Sequence, residues 1–398
     1  MSFVTEFKDL PLAGLVDRSR EASPAAALES LRQERRTLAD FARLISPAAG
    51  SLLEELGRRS QALTQKRFGK VMRLFAPLYL SNECINNCKY CGFSRDNAIL
   101  RVTLSLDEVR REAQALMHQG FRNVLLVAGE HPKFVSNGYL AQCVAALHEL
   151  VPSVSLEVGP MSTADYRPLV AAGADGLVVY QETYDRTVYD QMHTSGPKRD
   201  FDWRLETPER AYAAGFRRLG ISPLYGLADW RSEALSVAAH ADYLLRHCWK
   251  AQITISLTRL RPCAGEFQPP THMTDRELVQ LACAFRLLFP DVGLVLSTRE
   301  SAKLRDGLMP LGVTLISAGS HTEPGGYTGA GRENLHQTVR GRVVARGASE
   351  WVAGPGDDSN ATGQFQIADD RTPQEVAESL RQLGYEPVWK DWDAALLA

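Results

Sequence analysis

Eight short apolar runs rich in β-branched residues alternate with amphipathic stretches along most of this chain. The runs are RLFAPLYL, NVLLVAG, SVSLEVG, DGLVVYQ, FRRLGIS, QITISLT, VGLVLST and GVTLISA. The stretches between them carry apolar residues at three- and four-residue spacing, which predicts helices. Eight strand–helix units in about 250 residues predict the α/β class, as a closed (β/α)8 TIM-type barrel. A doubly wound open sheet is the alternative, although no Gly-rich phosphate turn follows a run.

The sequence outside these units divides into two further segments. Residues 1–70 are predicted to form an N-terminal helical extension to a barrel over residues 71–320. Residues 321–398 are predicted to form a C-terminal extension that ends in a capped helix and an aromatic tail, TPQEVAESLRQLGYEPVWKDWD. Within that extension the Gly-rich stretch at about 328–363 predicts a surface loop or a partly disordered segment.

Charge and hydropathy exclude several classes of partner. The 45 Lys and Arg residues nearly balance the 47 Asp and Glu residues, so nothing predicts binding to nucleic acid or to an anionic membrane surface. No apolar run approaches the roughly 20 residues that span a bilayer. The first ten residues include Glu6, Lys8 and Asp9 where a signal peptide would be apolar. We therefore expect a cytoplasmic protein without a membrane partner.

Three of the seven cysteines fall within eight residues, at Cys84, Cys88 and Cys91, directly after the first predicted barrel strand. This C-x3-C-x2-C spacing predicts a 4Fe-4S cluster, because three neighbouring thiolates can hold three irons and leave the fourth open for a ligand. A structural zinc site is an alternative, but it would need a fourth ligand nearby. Buried, inert cysteines are another, although this loop is polar and rich in Asn.

The cysteine spacing resembles the signature of the radical S-adenosylmethionine (SAM) superfamily. The resemblance implies that the open iron chelates the amino and carboxylate groups of SAM, with Tyr90 packing on the adenine. Gly129 and Glu130 resemble the motif whose backbone meets the SAM amino group, and Glu157 resembles the acid that contacts the ribose. Arg204 is a candidate partner for the SAM carboxylate. An ordinary turn, a surface glutamate and a solvated arginine are the respective structural alternatives.

Nine ordered blocks narrow the resemblance to the 2-iminoacetate synthase family, the tyrosine lyases of thiamine thiazole biosynthesis. The blocks are PLYLSNECINNCKYCGFSR, LLVAGEHP, VVYQETYD, DFDWRLETPER, RLRPC, LVLSTRE, PGGY, QFQIADDR and EPVWKDWD. The family implies cleavage of the Cα–Cβ bond of L-tyrosine to 2-iminoacetate (dehydroglycine) and p-cresol, with SAM consumed to methionine and 5′-deoxyadenosine. It also implies a thiazole synthase partner and an electron donor such as flavodoxin or ferredoxin.

The resemblance also implies an anchor for the substrate carboxylate. Arg299, at the end of the seventh strand, can offer two parallel hydrogen bonds from the barrel mouth, unless it pairs with neighbouring Glu300 instead. Ser256, at the end of the sixth strand, is a second candidate contact, although a serine at this position could simply cap a turn. A base near the phenol would help cleavage; His193 and Tyr184 are candidates.

Three rival functions remain open at this point. The tyrosine lyase of hydrogenase maturation is similar through the barrel, but it carries a C-terminal cysteine motif, and here no cysteine follows Cys283. The tryptophan lyase of 3-methyl-2-indolic acid formation shares the arginine-bearing strand end. A non-catalytic, cluster-bearing scaffold for thiazole synthase is the third.

The stretch from Thr328 to Gly363 is longer and richer in Gly than this family leads us to expect.

Overall fold

A computed structural model describes residues 2–339, 342–345, 347–348 and 359–390. These residues form thirteen β-strands: β1 (Val71–Ser81), β2 (Asn87–Cys88), β3 (Asn123–Ala128), β4 (Ser153–Glu157), β5 (Ala174–Val178), β6 (His193–Ser195), β7 (Arg218–Ile221), β8 (Gln252–Ser256), β9 (Gly293–Leu296), β10 (Leu315–Ser317), β11 (His336–Val339), β12 (Arg342–Ala345) and β13 (Glu386–Val388).

The same residues form fifteen α-helices: α1 (Phe3–Asp9), α2 (Leu12–Arg20), α3 (Pro24–Arg32), α4 (Leu38–Leu44), α5 (Leu53–Phe68), α6 (Leu106–His118), α7 (Asn137–His148), α8 (Thr163–Ala171), α9 (Arg186–Met192), α10 (Phe201–Leu205), α11 (Thr207–Ala214), α12 (Trp230–His247), α13 (Asp275–Leu288), α14 (Ala302–Leu308) and α15 (Pro373–Gln382). No helix among them combines the length and apolar character needed to cross a membrane.

Eight parallel strands close into a barrel, in the order β1-β3-β4-β5-β7-β8-β9-β10. Closure is direct, because β10 pairs with β1 through the registers Arg73↔Leu315 and Phe75↔Ser317. Each of the eight predicted apolar runs overlaps one of these strands. The predicted (β/α)8 barrel is therefore confirmed, and the open doubly wound sheet is wrong.

Local side-chain chemistry fixes where several barrel helices begin. Ser105 caps α6 through the backbone of Glu108, whose carboxylate bonds back to the cap. Thr274 and Glu277 form the same reciprocal pair at the start of α13. Each such cap stabilises a helix end by about 1 kcal/mol. These caps end the preceding loops, which lie at the carboxyl ends of the strands.

Helices α1, α2, α4 and α5 pack on the outer helices of the barrel, and α3 packs on α4. Phe41 of α4 contacts Phe285 of α13, with ring centroids 5.0 Å apart. Phe3 of α1 stacks on His240 of α12 at 4.1 Å. One cluster of buried apolar side chains includes residues of these helices and of the barrel. The predicted boundary at residue 70, between the helical extension and the barrel, therefore stays a prediction.

The C-terminal extension returns to the barrel at both ends. Strand β13 pairs in parallel with the start of β1, Val71↔Glu386, and Trp389 packs on Phe121 with centroids 5.2 Å apart. The predicted packing of the aromatic tail is confirmed for Trp389, whereas Trp392 lies outside the described residues. Residues 361–369, which we call the mouth strap, cross the carboxyl ends of the barrel strands.

The expectation of a surface loop at 328–363 is wrong for part of that stretch. Strands β11 and β12 form an antiparallel hairpin, and the backbones of Arg101 and His336 exchange hydrogen bonds of 2.8 and 3.1 Å. Alternating residues in HQTV and RVVA let two short strands pair although the surrounding sequence is rich in Gly. Residues 349–358 lie outside the described residues.

Candidate active site

The three clustered cysteines lie on the loop after β1, at the carboxyl end of the barrel. Cys84, Cys88 and Cys91 line one cavity, which encloses about 620 Å³ including its open mouth. The loop turns tightly there, because the Cys91 amide donates to the Cys88 carbonyl at 3.1 Å. The opposite wall of the cavity is formed by residues that follow other strands, so the site is assembled from the whole barrel mouth.

Arg101 fixes the backbone of this loop through hydrogen bonds. Its guanidinium is 2% exposed and donates to the carbonyls of Asn82 at 2.6 Å, Phe93 at 3.1 Å and Ser94 at 2.8 Å. A loop whose carbonyls share one rigid fork has little freedom to rearrange. Arg101 is thus a positioning residue that the sequence analysis did not identify.

The buried thiols are better suited to coordinating iron than to existing as uncoordinated thiolates. Burial raises the pKa of Cys91 to about 11 and also raises the pKa of Cys88, so neither thiol ionises readily alone. A bound metal ion removes this penalty by coordinating the sulfur. Among the described residues no group of three His, Cys, Asp or Glu side chains converges on a single-metal site. Thiolates that each hold a different iron of a cubane need not converge, so the residues fit a 4Fe-4S cluster.

Gly129 and Glu130 meet the cysteine loop at the end of β3. The Gly129 amide donates to the Ser81 carbonyl at 3.1 Å, and the Glu130 carbonyl accepts from Ile85 at 2.8 Å. The Glu130 carboxylate accepts a 2.7 Å hydrogen bond from Asn86, which also donates to the Cys84 sulfur at 3.7 Å. Both residues line the cavity with the thiols.

Glu157 faces the same cavity from the end of β4. Burial raises the pKa of Glu157 to about 7, and the nearby Arg299 cation opposes part of this rise. A carboxyl group with this pKa changes charge near neutral pH when its surroundings change. Its position between the thiols and Arg299 links the two halves of the barrel mouth.

Arg204 lines the cavity, and its guanidinium has partners within the protein. It donates to the Tyr180 carbonyl at 2.7 Å and to the Glu182 carboxylate at 3.4 Å. The same Glu182 oxygen accepts from the Lys198 ammonium at 2.6 Å. Lys198 and Glu182 also line the cavity, and neither was predicted from the sequence to have a role there. Both fall in conspicuous motifs, QETYD and HTSGPK, which are the signals that could have found them.

Tyr90 is not among the residues that line the cavity. Its hydroxyl donates to the Nε2 atom of His193 at 2.7 Å, since His193 uses its Nδ1 proton for the Tyr189 carbonyl at 2.8 Å. Burial lowers the pKa of His193 to about 3, which keeps this ring neutral. His193 is therefore a partner of Tyr90 and lies away from the cavity. Tyr184, the other candidate base, is buried against His240, 2.9 Å from hydroxyl to ring nitrogen.

Arg299 lies in an adjoining cavity that shares Glu157, Tyr180 and Gln364 with the first. Its guanidinium stacks on the Phe365 ring at 3.4 Å, and it forms no hydrogen bond or ion pair through its side chain with any residue that the structure describes. The alternative of an ion pair with Glu300 is wrong.

Glu300 pairs instead with Arg259, so it is not available to Arg299. Arg299 is consequently a cation in the barrel mouth with its hydrogen-bonding edge open to a ligand.

Ser256 lies one level lower in the barrel. Its hydroxyl accepts from Tyr180 at 3.0 Å, and it lines a third cavity, in the barrel interior, that shares Phe75, Leu125 and Tyr180 with the cavity of Arg299. The structure thus brings the cysteines, Gly129, Glu130, Glu157, Arg204 and Arg299 to two connected cavities, and it leaves Ser256 and Tyr90 beside them.

The mouth strap closes the two cavities from above. Gln364 accepts from the Tyr79 hydroxyl at 2.8 Å and donates to the Cys91 sulfur at 3.8 Å. Its backbone bonds to Gly92 at 3.1 Å and to Thr322 at 2.9 Å. Gln364 begins the block QFQIADDR, but its place in the site was not predicted, because its contacts join segments that are far apart along the chain.

Comparison with known proteins agrees with this geometry. The chain matches the Radical SAM superfamily over residues 78–233 and the Biotin and Thiamin Synthesis associated domain over residues 256–386. It is 42% identical to the 2-iminoacetate synthase of Escherichia coli (strain K12) over 92% of this chain and 90% of that protein.

Two solved structures share the fold. The [FeFe]-hydrogenase maturase HydG superposes with a TM-score of 0.83 and 28% identity, covering 95% of this chain and 79% of that chain. Methylornithine synthase (PylB) superposes with a TM-score of 0.67 and 19% identity, covering 91% of this chain and 97% of that chain. At that lower identity the likeness concerns the fold alone.

Proposed function

The chain belongs to the 2-iminoacetate synthase family of radical SAM enzymes, and we propose that it cleaves the Cα–Cβ bond of L-tyrosine. The products are 2-iminoacetate and p-cresol, and SAM is converted to methionine and 5′-deoxyadenosine. The observation that carries this proposal is Arg299, whose open guanidinium faces a cavity joined to that of the three thiols. An amino acid carboxylate is the ligand that such a planar cation binds best.

Cys84, Cys88 and Cys91 would hold the 4Fe-4S cluster. When bound, the cluster and SAM supply a 5′-deoxyadenosyl radical, and the protein supplies orientation and exclusion of water. This proposal takes Gly129, Glu130, Glu157 and Arg204 as contacts of SAM, and their common cavity with the thiols supports it. The expected contact of Tyr90 with adenine has less support, since its hydroxyl is bound to His193.

The substrate would lie between Arg299 and the thiols, beneath the mouth strap. Arg299 would bind the tyrosine carboxylate, and the Phe365 ring would keep the guanidinium plane in place. Gln364 would exclude water on the cluster side, because its amide already joins Tyr79 and Cys91. Ser256 would act on the substrate through Tyr180, to which its hydroxyl is bonded.

The tyrosine lyase of hydrogenase maturation is the principal rival. A solved HydG from Carboxydothermus hydrogenoformans is 33% identical to this chain, against 42% for the 2-iminoacetate synthase of Escherichia coli. A thiazole synthase partner and a flavodoxin or ferredoxin donor complete the proposal. We place the enzyme in the cytoplasm, where the seven free cysteines would stay reduced.

Substitution of Arg299 tests the proposal. Arg299→Ala would leave the carboxylate without its partner, a loss of about 2 to 5 kcal/mol, so tyrosine cleavage should fall at least tenfold. Arg299→Lys should also fall, because an ammonium cannot form the two parallel hydrogen bonds. The measurement is p-cresol formed anaerobically at saturating SAM with a chemical reductant.

The cluster spectrum with and without SAM should stay normal in both variants, since Arg299 contacts none of the three cysteines. Arg246→Ala, on the surface of α12, is the matched control and should cleave tyrosine normally. Near-normal cleavage by Arg299→Ala would place the substrate anchor elsewhere.

A further inference from the structure

Glu182 lies between two cations in the wall of the cysteine cavity. The Lys198 ammonium is 2.6 Å from its Oε1 atom, and the Arg204 guanidinium is 3.4 Å from the same oxygen. The side chains of Lys198, Glu182 and Arg204 are 14%, 10% and 8% exposed. We call these three residues the buried triad; its net charge is one positive.

The backbone of Glu182 is held in an unusual conformation. Its φ is +73°, in the left-handed region that non-glycine residues seldom occupy. The Leu224 amide donates to its carbonyl at 2.6 Å, and the preceding Gln181 amide donates to Ser222 at 3.0 Å. Strained residues of this kind persist where the surroundings fix them, and they are frequent at functional sites.

The segment that carries Lys198 is joined directly to the cysteine loop. The Lys198 amide donates to the Asn86 side chain at 2.9 Å, and Asn86 donates in turn to the Cys84 sulfur at 3.7 Å. Strand β6 pairs with β2, which contains Cys88. Gly196 permits this approach, because a Cβ there would lie 2.3 Å from the Asn86 oxygen.

Lys198 is consequently a fixed neighbour of the thiols. Its side chain lines the same cavity as Cys84, Cys88 and Cys91.

Reduction of an iron–sulfur cluster adds one negative charge to a site that three thiolates already make negative. The cost depends on the charges around the cluster and on how far water screens them. A buried positive charge stabilises the reduced form more than the oxidised form, and a buried carboxylate has the opposite effect. The two kinds of residue in the buried triad therefore act on the cluster in opposite directions.

We propose that the buried triad sets the reduction potential of the cluster, with Lys198 stabilising the reduced form and Glu182 limiting that effect. This inference rests on the proposed function only in that a cluster is held by the three cysteines. It holds for whichever amino acid the enzyme cleaves. Lys198 thus holds a positive charge beside the cluster. This role is distinct from that of Arg299, which would bind the substrate carboxylate.

Redox titration of the reconstituted holoenzyme, followed by the EPR signal of the reduced cluster without SAM, tests the proposal. Lys198→Gln should lower the midpoint potential, and Glu182→Gln should raise it. We expect at least a threefold change in each reduction equilibrium, about 28 mV for one electron. Lys198→Arg should keep a potential near that of the wild type, because the charge is retained.

Lys89→Gln is the matched control, because it removes the same charge beside Cys88 from an exposed side chain. Water screens an exposed charge, so its shift should be smaller than that of Lys198→Gln. Equal shifts in these two variants would overturn the proposal, as would shifts of the same sign in Lys198→Gln and Glu182→Gln.

Iron and sulfide content is measured first in each variant. If Lys198→Gln fails to load a cluster, the rise expected of Glu182→Gln and the unchanged potential of Lys198→Arg decide the question. Tyrosine cleavage is scored separately, through Arg299. Failure of the proposed function therefore shows as a wild type that forms no p-cresol, or as unchanged cleavage by Arg299→Ala, with the potential shifts intact. Failure of this inference shows as absent potential shifts in a wild type that cleaves tyrosine.

Discussion

Gly129 shows how a single missing side chain shapes the candidate site. A Cβ at this position would lie 2.2 Å from the carbonyl oxygen of Glu83 and 3.1 Å from the Cβ of Cys84. Both are parts of the cysteine loop that cannot swing aside as a long side chain could. The end of β3 and the loop approach this closely only because residue 129 is glycine.

Gly129→Ala should therefore displace the cysteine loop. Overpacking of this kind costs about 1 to 3 kcal/mol, and the displaced thiols should hold less cluster. The measurement is iron bound per chain after anaerobic reconstitution, together with the thermal midpoint of unfolding.

Gly138→Ala is the control. Gly138 lies within α7, and the nearest atom to its added Cβ is 3.9 Å away. It should load iron normally. Full iron content in Gly129→Ala would show that the loop tolerates the added methyl group.

The mouth strap is the element that converts an open barrel mouth into two covered cavities. Its backbone bonds to three separate loops: Gln364 to Thr322 at 2.9 Å, Gln366 to Pro262 at 2.9 Å, and Ala368 to Thr298 at 2.8 Å. At its end, Asp369 forms an ion pair with Arg305, and both side chains are fully buried. Arg371 binds the same carboxylate at 2.7 Å.

Asp369→Ala should detach the strap and destabilise the fold. Removing one partner of a buried pair leaves Arg305 uncompensated, which costs about 3 to 5 kcal/mol. The free energy of unfolding in denaturant measures this loss. Asp291→Ala is the control, because Asp291 is 72% exposed and its pair with Arg67 should contribute about 0 to 1 kcal/mol. Equal losses in the two variants would contradict the structural role of Asp369.

The same ion pair predicts a dependence on pH. Burial opposes ionisation of Asp369, but Arg371 and Arg305 hold its pKa below its ordinary value. The stabilisation is therefore present above the unfolded pKa of about 3.9 and is lost as the pH falls through the lower, folded pKa.

The difference in unfolding free energy between wild type and Asp369→Ala should be constant above about pH 5. It should shrink below about pH 4, in the range where Asp369 takes up its proton. A difference that stayed constant at low pH would show that the carboxylate charge does not matter.

At the scale of the whole molecule, the N-terminal helices are part of the same core as the barrel. Phe41 is fully buried and meets the ring of Phe285 at 5.0 Å. Arg36, in the same segment, donates to the Leu287 carbonyl at 3.1 Å. Helices α12 and α13 are therefore covered by residues that precede the barrel, and they would expose apolar surface without them.

Phe41→Ala should destabilise the barrel as well as the N-terminal helices. Deleting a buried Phe side chain costs about 3 to 5 kcal/mol, which corresponds to a fall of a few degrees in the thermal midpoint. We expect one unfolding transition by calorimetry. Trp249→Ala is the control, because Trp249 is 72% exposed and should change stability by no more than about 0.5 kcal/mol. Two separate transitions would show that residues 1–70 fold independently.

The sequence alone determined the features that are local in the chain. Each barrel strand overlaps one short run, so composition and periodicity located all eight and predicted the closed barrel. The three cysteines are similarly local, since eight residues contain the whole set of thiols. Spacing predicted their ligand chemistry because a single loop carries it. The position of Arg299 followed from the rule that the ends of barrel strands meet at one mouth.

Only the tertiary structure decided which residues meet across distant segments. Lys198, Glu182 and Gln364 reach the cysteine cavity from three separate segments. Sequence motifs mark these segments, but only the fold brings the three side chains to one cavity. Likewise, only the structure shows that Glu300 forms an ion pair with Arg259 and that the Tyr90 hydroxyl forms a hydrogen bond with His193. Hydrogen bonding and ion pairing depend on distances of a few ångströms in space. Spacing along the chain determines those distances only within one element or loop.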